Sequence, residues 1–215
     1  MGIEKSLLPV ETLKTILDNK NIVKSNVEVY QKNADWETFQ LAMRILNPQS
    51  YGLQFEIRIR NAYGWTKNKA KERNGDVSYM LDGVKINSEI KVSLTTDVNK
   101  NINIVQIRNS HSMDYYDIFI IHQDSSVERF RLSKEQMNEE LKLTGFNLAH
   151  GTRVGKDGDN ENAEYRIDFL AIKTDKTYQR WLENYLIKDG ADILTSYNPN
   201  AIIDSKPNLQ ESNEQ

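Results

Sequence analysis

Asp76, Glu89 and Lys91 are the residues of this chain whose types and spacing lend themselves to one piece of chemistry. An Asp followed, after a short turn, by Glu-x-Lys offers two hard oxygen donors and an ammonium two residues on. Magnesium takes such ligands, one or two carboxylates completed by water and phosphate oxygens. It neutralises charge on a phosphoryl transition state and lowers the pKa of a bound water. Lys91 would orient or help deprotonate that water, or stabilise the developing negative charge. The set points to hydrolysis of a phosphodiester.

Two strands must position these side chains. Ile86, Ser88, Ile90, Val92 and Leu94 alternate with Asn87, Glu89, Lys91 and Ser93, which predicts a half-buried strand with Glu89 and Lys91 on one face. The rise per residue sets those two side chains roughly 6–7 Å apart along the strand. Residues 75–81 read as the preceding strand, and Asp82-Gly83 as a two-residue turn between the two. With Leu81 opposite Val84, the register puts Asp76 opposite Glu89, near enough to share a metal.

A Glu-x-Lys triplet is common in a chain with 27% charged residues, and this one contains a second, Glu140-Leu141-Lys142. Ser133 and Gln136 upstream of it are spaced like a capping box, so the second triplet is expected on a helix. Residues two apart on a helix diverge, and the second copy is expected to be a solvated helical face.

The flanking segments carry a family resemblance. Residues 51–63 read as a helix with Phe55, Ile59 and Ala62 on one side, although Leu53, Phe55, Ile57 and Ile59 also alternate as a strand would. Residues 67–72 read as a first strand, 101–109 as a helix, and 114–122 as a segment ending in an apolar strand. The order helix, three strands, helix, strand resembles the core of the PD-(D/E)xK nuclease superfamily, within it the type II restriction endonucleases, over about residues 50–123. Gly75 stands where the family name has Pro. The resemblance implies an α/β fold with a restriction-endonuclease-like core, a central mixed β-sheet flanked by helices.

It also implies roles. Asp76 and Glu89 would be the metal-binding carboxylates, Lys91 the catalytic lysine, the main-chain carbonyl of Ile90 a further ligand, and Mg2+ the cofactor. Glu56 resembles an acidic residue that relatives carry on the preceding helix; a surface pair with Arg60 is the alternative. Gln106 resembles a polar residue that some relatives use beside the site. The implied reaction is hydrolysis of double-stranded DNA to 5′-phosphate and 3′-hydroxyl ends, with a homodimer matching a two-fold recognition site. A structure-reading repair or recombination nuclease, a non-catalytic DNA-binding module and a plain α/β interaction protein stay open as alternatives.

A net charge of -3 argues mildly against a nucleic-acid partner. Locally the balance reverses. Arg58, Arg60, Lys67, Lys69, Lys71 and Arg73, interleaved with Tyr63 and Trp65, lead directly into Asp76, which suggests a phosphate-binding surface beside the scissile bond. A strand edge guarded by lysines is the alternative. Arg108, His150 and Arg153 are further candidate DNA contacts.

The absence of Cys excludes disulfides, zinc-thiolate sites and cysteine nucleophiles. His111, His122 and His150 form no recognisable metal-ligand spacing, and no Gly-rich phosphate loop points to ATP. No membrane-length apolar run or signal-peptide pattern is present, so a cytoplasmic protein is expected. One domain is expected over 1–204, with its core at 50–123, a C-terminal extension at 124–204 and a disordered tail at 205–215. Around the core, 9–47 read as one or two helices stopped by Asn47-Pro48, 155–160 as a hairpin turn, and 174–188 as an amphipathic helix burying Tyr178, Trp181, Leu182 and Tyr185.

Overall fold

The structure, a computed structural model, describes residues 11, 24–46, 48–96, 98, 100–150, 153–154, 158–159, 163–188 and 191–200. The chain divides into two compact units, residues 47–195 and residues 1–46 with 196–215. The smaller unit holds helices α1 (Lys24–Asn33) and α2 (Trp36–Met43). Asp35 caps α2, its side chain accepting from the Thr38 N–H at 2.7 Å. The rest of the helical segment expected over 9–47, and the tail at 205–215, lie outside the described residues.

The larger unit opens with α3 (Pro48–Tyr63), which decides the helix-or-strand ambiguity over 51–63 for the helix. Pro48 starts this helix, besides following the end of α2: its fixed φ and missing N–H cost nothing in a first turn. Then come β1 (Thr66–Lys67), a 3-10 turn (Ala70–Glu72), β2 (Val77–Leu81), β3 (Val84–Leu94), β4 (Asn101–Ile107), β5 (Tyr115–Ile121) and β6 (Val127–Ser133). The remainder is α4 (Lys134–Leu143), β7 (Leu148–His150), β8 (Arg153–Val154), β9 (Gly158–Asp159), β10 (Glu164–Leu170), α5 (Lys176–Asn184) and α6 (Ala191–Thr195).

The class is α/β, with a central mixed sheet in the order β1-β2-β3-β5-β6 flanked by helices. Its pairs are antiparallel except β3 with β5. The β2–β3 hairpin has the expected register, Leu81 opposite Val84 through Val77 opposite Ser88. Asp82 and Gly83 take φ values of 50° and 79°, the positive pair that a tight hairpin turn requires.

Two expected elements differ. The strand over 67–72 shrinks to Thr66–Lys67, and the chain leaves the sheet through the 3-10 turn and Arg73 at φ 52°. The helix over 101–109 is strand β4, which pairs with β10 in a second sheet, β4-β10-β7. Ile104 and Ile107 stand three apart, as on a helix, because a bulge intervenes: Gln106 takes φ 57° and the register against β10 slips there. The connection from β3 to parallel β5 therefore runs through a strand of another sheet.

One core joins Tyr116, Ile118, Ile120, Phe130 and Leu132 of the central sheet to Ile102, Ile104, Ile107, Tyr165, Ile167 and Phe169 of the second, with Met137, Leu141 and Trp181 from α4 and α5. Within β5, Asp117 and Phe119 alternate with that set and are equally buried, so the central strand is covered on both faces. Among the described residues no helix is long and apolar enough to cross a membrane.

Candidate metal and catalytic site

The hairpin ladder ends at Val77–Ser88, one step short of the Asp76–Glu89 pair. At that step the Asp76 side chain takes over from the backbone. Its Oδ2 accepts from the Ile90 N–H at 2.9 Å, while the Asp76 N–H donates to the Ser88 carbonyl at 2.9 Å. The preceding residue has to be Gly. Gly75 sits at φ 77°, and a Cβ there would lie 2.5 Å from the Ser88 carbonyl oxygen. Proline, held near φ −65°, does not fit this backbone. Asn68 closes the turn, its side-chain amide donating to the Asn74 and Val77 carbonyls at 3.1 and 2.9 Å.

Glu89 and Lys91 share one face of β3, as expected, and the Lys91 ammonium donates to Glu89 Oε1 at 2.9 Å. The strand is not half-buried, however. Ser88, Glu89, Ile90 and Ser93 are all buried, because material covers both sides of β3 at its middle. Burial and the facing Glu89 charge push the Asp76 carboxyl up to about 7, against the lowering pull of Lys91. Asp76 and Glu89 thus face the Lys91 ammonium together.

Glu56 on α3 lies within electrostatic reach of Asp76, Glu89 and Lys91. Burial raises its pKa, opposed first by Arg60, with which it forms the i,i+4 pair at 3.5 Å. Among the described residues no group of three or more His, Asp or Glu side chains is gathered as a metal cluster. The donor set that fits magnesium is the Asp76–Glu89 pair. Asp76 Oδ1 and Glu89 Oε2 make no hydrogen bond among the described residues, and the excess negative charge is what a divalent cation relieves. Ile90 contributes its N–H to Asp76; its carbonyl as a ligand stays an expectation.

Behind β3 lies a second buried carboxylate. Asp117 accepts from Ser88 Oγ and Tyr79 OH, each at 2.8 Å, and from the guanidinium groups of Arg129 and Arg131. Because Ser88 also receives the Asp76 N–H on its carbonyl, this cluster fixes the strand segment on which Asp76 and Glu89 meet. Arg129 in turn lies over Tyr63 and Trp65, with centroid distances of 4.7 and 5.0 Å, and Trp65 stacks on Tyr79.

That packing corrects part of the expected DNA surface. Tyr63 and Trp65 belong to this aromatic cluster rather than standing among exposed cations. Arg58 is 0% exposed, which takes it off any phosphate-binding face. Lys67 at the end of β1 and Lys69, Lys71 and Arg73 along the turn leading to Asp76 are exposed. Arg108 is engaged by Glu164, with Nε at 2.9 Å from its carboxylate. The side chains of His150 and Arg153 lie outside the described residues.

Asn68, Ser88 and Asp117 escape a reading of the sequence, since each acts through partners remote along the chain or on another strand. No protein-family model matches the chain, and no curated protein does.

Proposed function

We propose that this chain is a magnesium-dependent DNA endonuclease of the PD-(D/E)xK kind, cutting at specific sites as a homodimer and leaving 5′-phosphate ends. The observation that carries the proposal is the hairpin register that brings half-buried Asp76 to buried Glu89, with the Lys91 ammonium on the same face. The exposed run Lys67, Lys69, Lys71 and Arg73 supports a polyanionic substrate beside that site.

Asp76 and Glu89 would hold the magnesium, whose chemistry there is charge neutralisation at phosphorus and acidification of a bound water. Ile90 N–H and the Ser88 carbonyl hold Asp76 in place for that work. Lys91, an ammonium bound to Glu89, orients the scissile phosphate and stabilises the charge that develops on it. Water attacks phosphorus in line with the departing 3′ oxygen.

Incubation of the purified chain with long bacteriophage DNA and magnesium, beside Lys91→Ala and an EDTA control, tests this. Discrete fragments lost in both controls are expected. A smear lost in both would replace site-specific cutting with a structure-reading nuclease. Intact DNA from the wild type across salt conditions and DNA sources would overturn the proposal.

A further inference from the structure

Asp76 follows the most permissive kind of residue. Gly75 takes φ 77°, and glycine loses more conformational freedom on ordering than any other residue. The β2–β3 ladder stops at Val77–Ser88, so Asp76 lies outside it. On the β3 side it is held by its own N–H on the Ser88 carbonyl and by the Ile90 N–H on Oδ2, each at 2.9 Å. On the other side the hold comes from Asn68.

Lys67, opposite Val77, ends β1, and the Asn68 N–H extends that pairing by one bond, to the Asp76 carbonyl at 2.9 Å. The Asn68 side-chain amide then reaches past Asp76 in both directions, donating to the Asn74 carbonyl at 3.1 Å and the Val77 carbonyl at 2.9 Å. The same nitrogen lies 3.4 Å from Oδ1 of Asn87, two residues before Glu89. All three neighbours are oxygens, so the amide turns its nitrogen inward, and a donor is what the place requires. One half-buried side chain thus ties both ends of the Gly75-Asp76 step and meets the strand that carries Glu89. The β1 pairing uses only the backbone of Asn68; the amide serves the turn.

Resting on the nuclease reading of the site, we propose that Asn68 is a positioning residue for magnesium: its amide fixes the backbone on either side of Asp76, so that this carboxylate is presented to the same cation as Glu89. Two carboxylates bind one ion well when their separation is set in advance. A donor that holds a ligand-bearing segment in place therefore carries part of the metal affinity. Asn68 touches neither ion nor substrate in this role and acts through Asp76.

The test is calorimetric titration of magnesium into the metal-free chain as wild type, Asn68→Ala and Asn68→Leu, with amide hydrogen exchange on the same metal-free proteins. Asn68→Leu keeps the neutral charge and much of the bulk and loses the donor. Both variants should bind magnesium about 10–100-fold more weakly. The Ile90 amide, bonded to Asp76 Oδ2, should lose protection, while the Thr95 amide, bonded to the Ile121 carbonyl at the far end of β3, should keep it. In duplex cleavage, excess magnesium should return the lost rate. A loss of affinity under about tenfold would overturn the proposal. So would unchanged protection at Ile90, an equal loss at Thr95, or a rate that excess magnesium leaves low. Each of these either removes Asp76 from the effect or makes Asn68 a support of the whole fold. Failure of the nuclease reading shows in the unsubstituted chain, which then leaves DNA intact; if that chain also takes up no magnesium, the proposal falls with it.

Discussion

The chain carries two Glu-x-Lys triplets, and the fold buries the glutamate of each, Glu89 at 5% exposure and Glu140 at 1%. Their surroundings are opposite. Glu140 accepts from Arg180 Nε at 2.8 Å, Trp181 Nε1 at 3.0 Å and Tyr185 OH at 3.0 Å, and its pKa falls because these hydrogen bonds outweigh burial. Lys142 plays no part, turning instead to Glu139. Among the described residues Glu89 accepts only from Lys91, and it faces Asp76, whose carboxyl is pushed up to about 7. A buried carboxylate saturated with donors is a brace; a close carboxylate pair with few donors is, on the proposed reading, where a cation would bind. Asp117, with two arginines, a tyrosine and a serine, belongs with Glu140 on this scale.

On the proposed function, the sharpest break between the triplets is catalytic. Lys91→Ala should lower kcat by about 10²–10⁴-fold, whereas Lys142→Ala, an exposed pair with Glu139, should leave cleavage at the wild-type rate. Stability reverses the ranking. Glu140→Ala strands Arg180, Trp181 and Tyr185 and should cost about 3–5 kcal/mol in urea unfolding, with activity per folded molecule intact. Gly75→Ala attacks the approach of the two strands directly. Its Cβ would meet the Ser88 carbonyl at 2.5 Å with φ held at 77°, and the expected cost is about 1–3 kcal/mol in the same assay.

The pH dependence separates the two glutamate sites more finely. The folded chain keeps a proton on Asp76 up to about 7, where the unfolded chain releases it near the ordinary value of 3.8. The stability this proton contributes is full below the unfolded value and is lost as pH rises through that window, by at most about 1.4 kcal/mol per pH unit. Asp76→Asn should therefore flatten the decline between pH 4 and 7 in metal-free urea melts, and stabilise the apo protein at pH 8. Glu140, whose pKa is lowered, contributes in the other direction: its stability is present above the unfolded value and fades as pH falls through the lowered one.

Much of the candidate site was legible because it is local. Alternation along 86–94 and the Asp82-Gly83 turn are enough to set the register that brings Asp76 to Glu89. The capping box at Ser133 and Gln136 is local too, and it forms as expected. What was not legible depends on distant partners. Glu140 looked like a solvated helical residue because Arg180, Trp181 and Tyr185 lie some 40 residues along the chain. The helical appearance of 101–109 came from a bulge at Gln106 that gives Ile104 and Ile107 a three-residue spacing within a strand. Arg58 and Trp65 looked like part of a basic surface, whereas Arg58 is buried and Trp65 packs among Tyr63, Tyr79, Phe119 and Arg129.

The measurement that bears most directly on the central claim is thermal unfolding at pH 8 with and without magnesium, on wild type, Lys142→Ala and Asp76→Asn. Binding at the Asp76–Glu89 pair predicts a higher Tm for the first two, equivalent to about 2.7 kcal/mol at a hundredfold excess over Kd, and none for Asp76→Asn. An unchanged wild-type Tm, or an equal rise in Asp76→Asn, would contradict it.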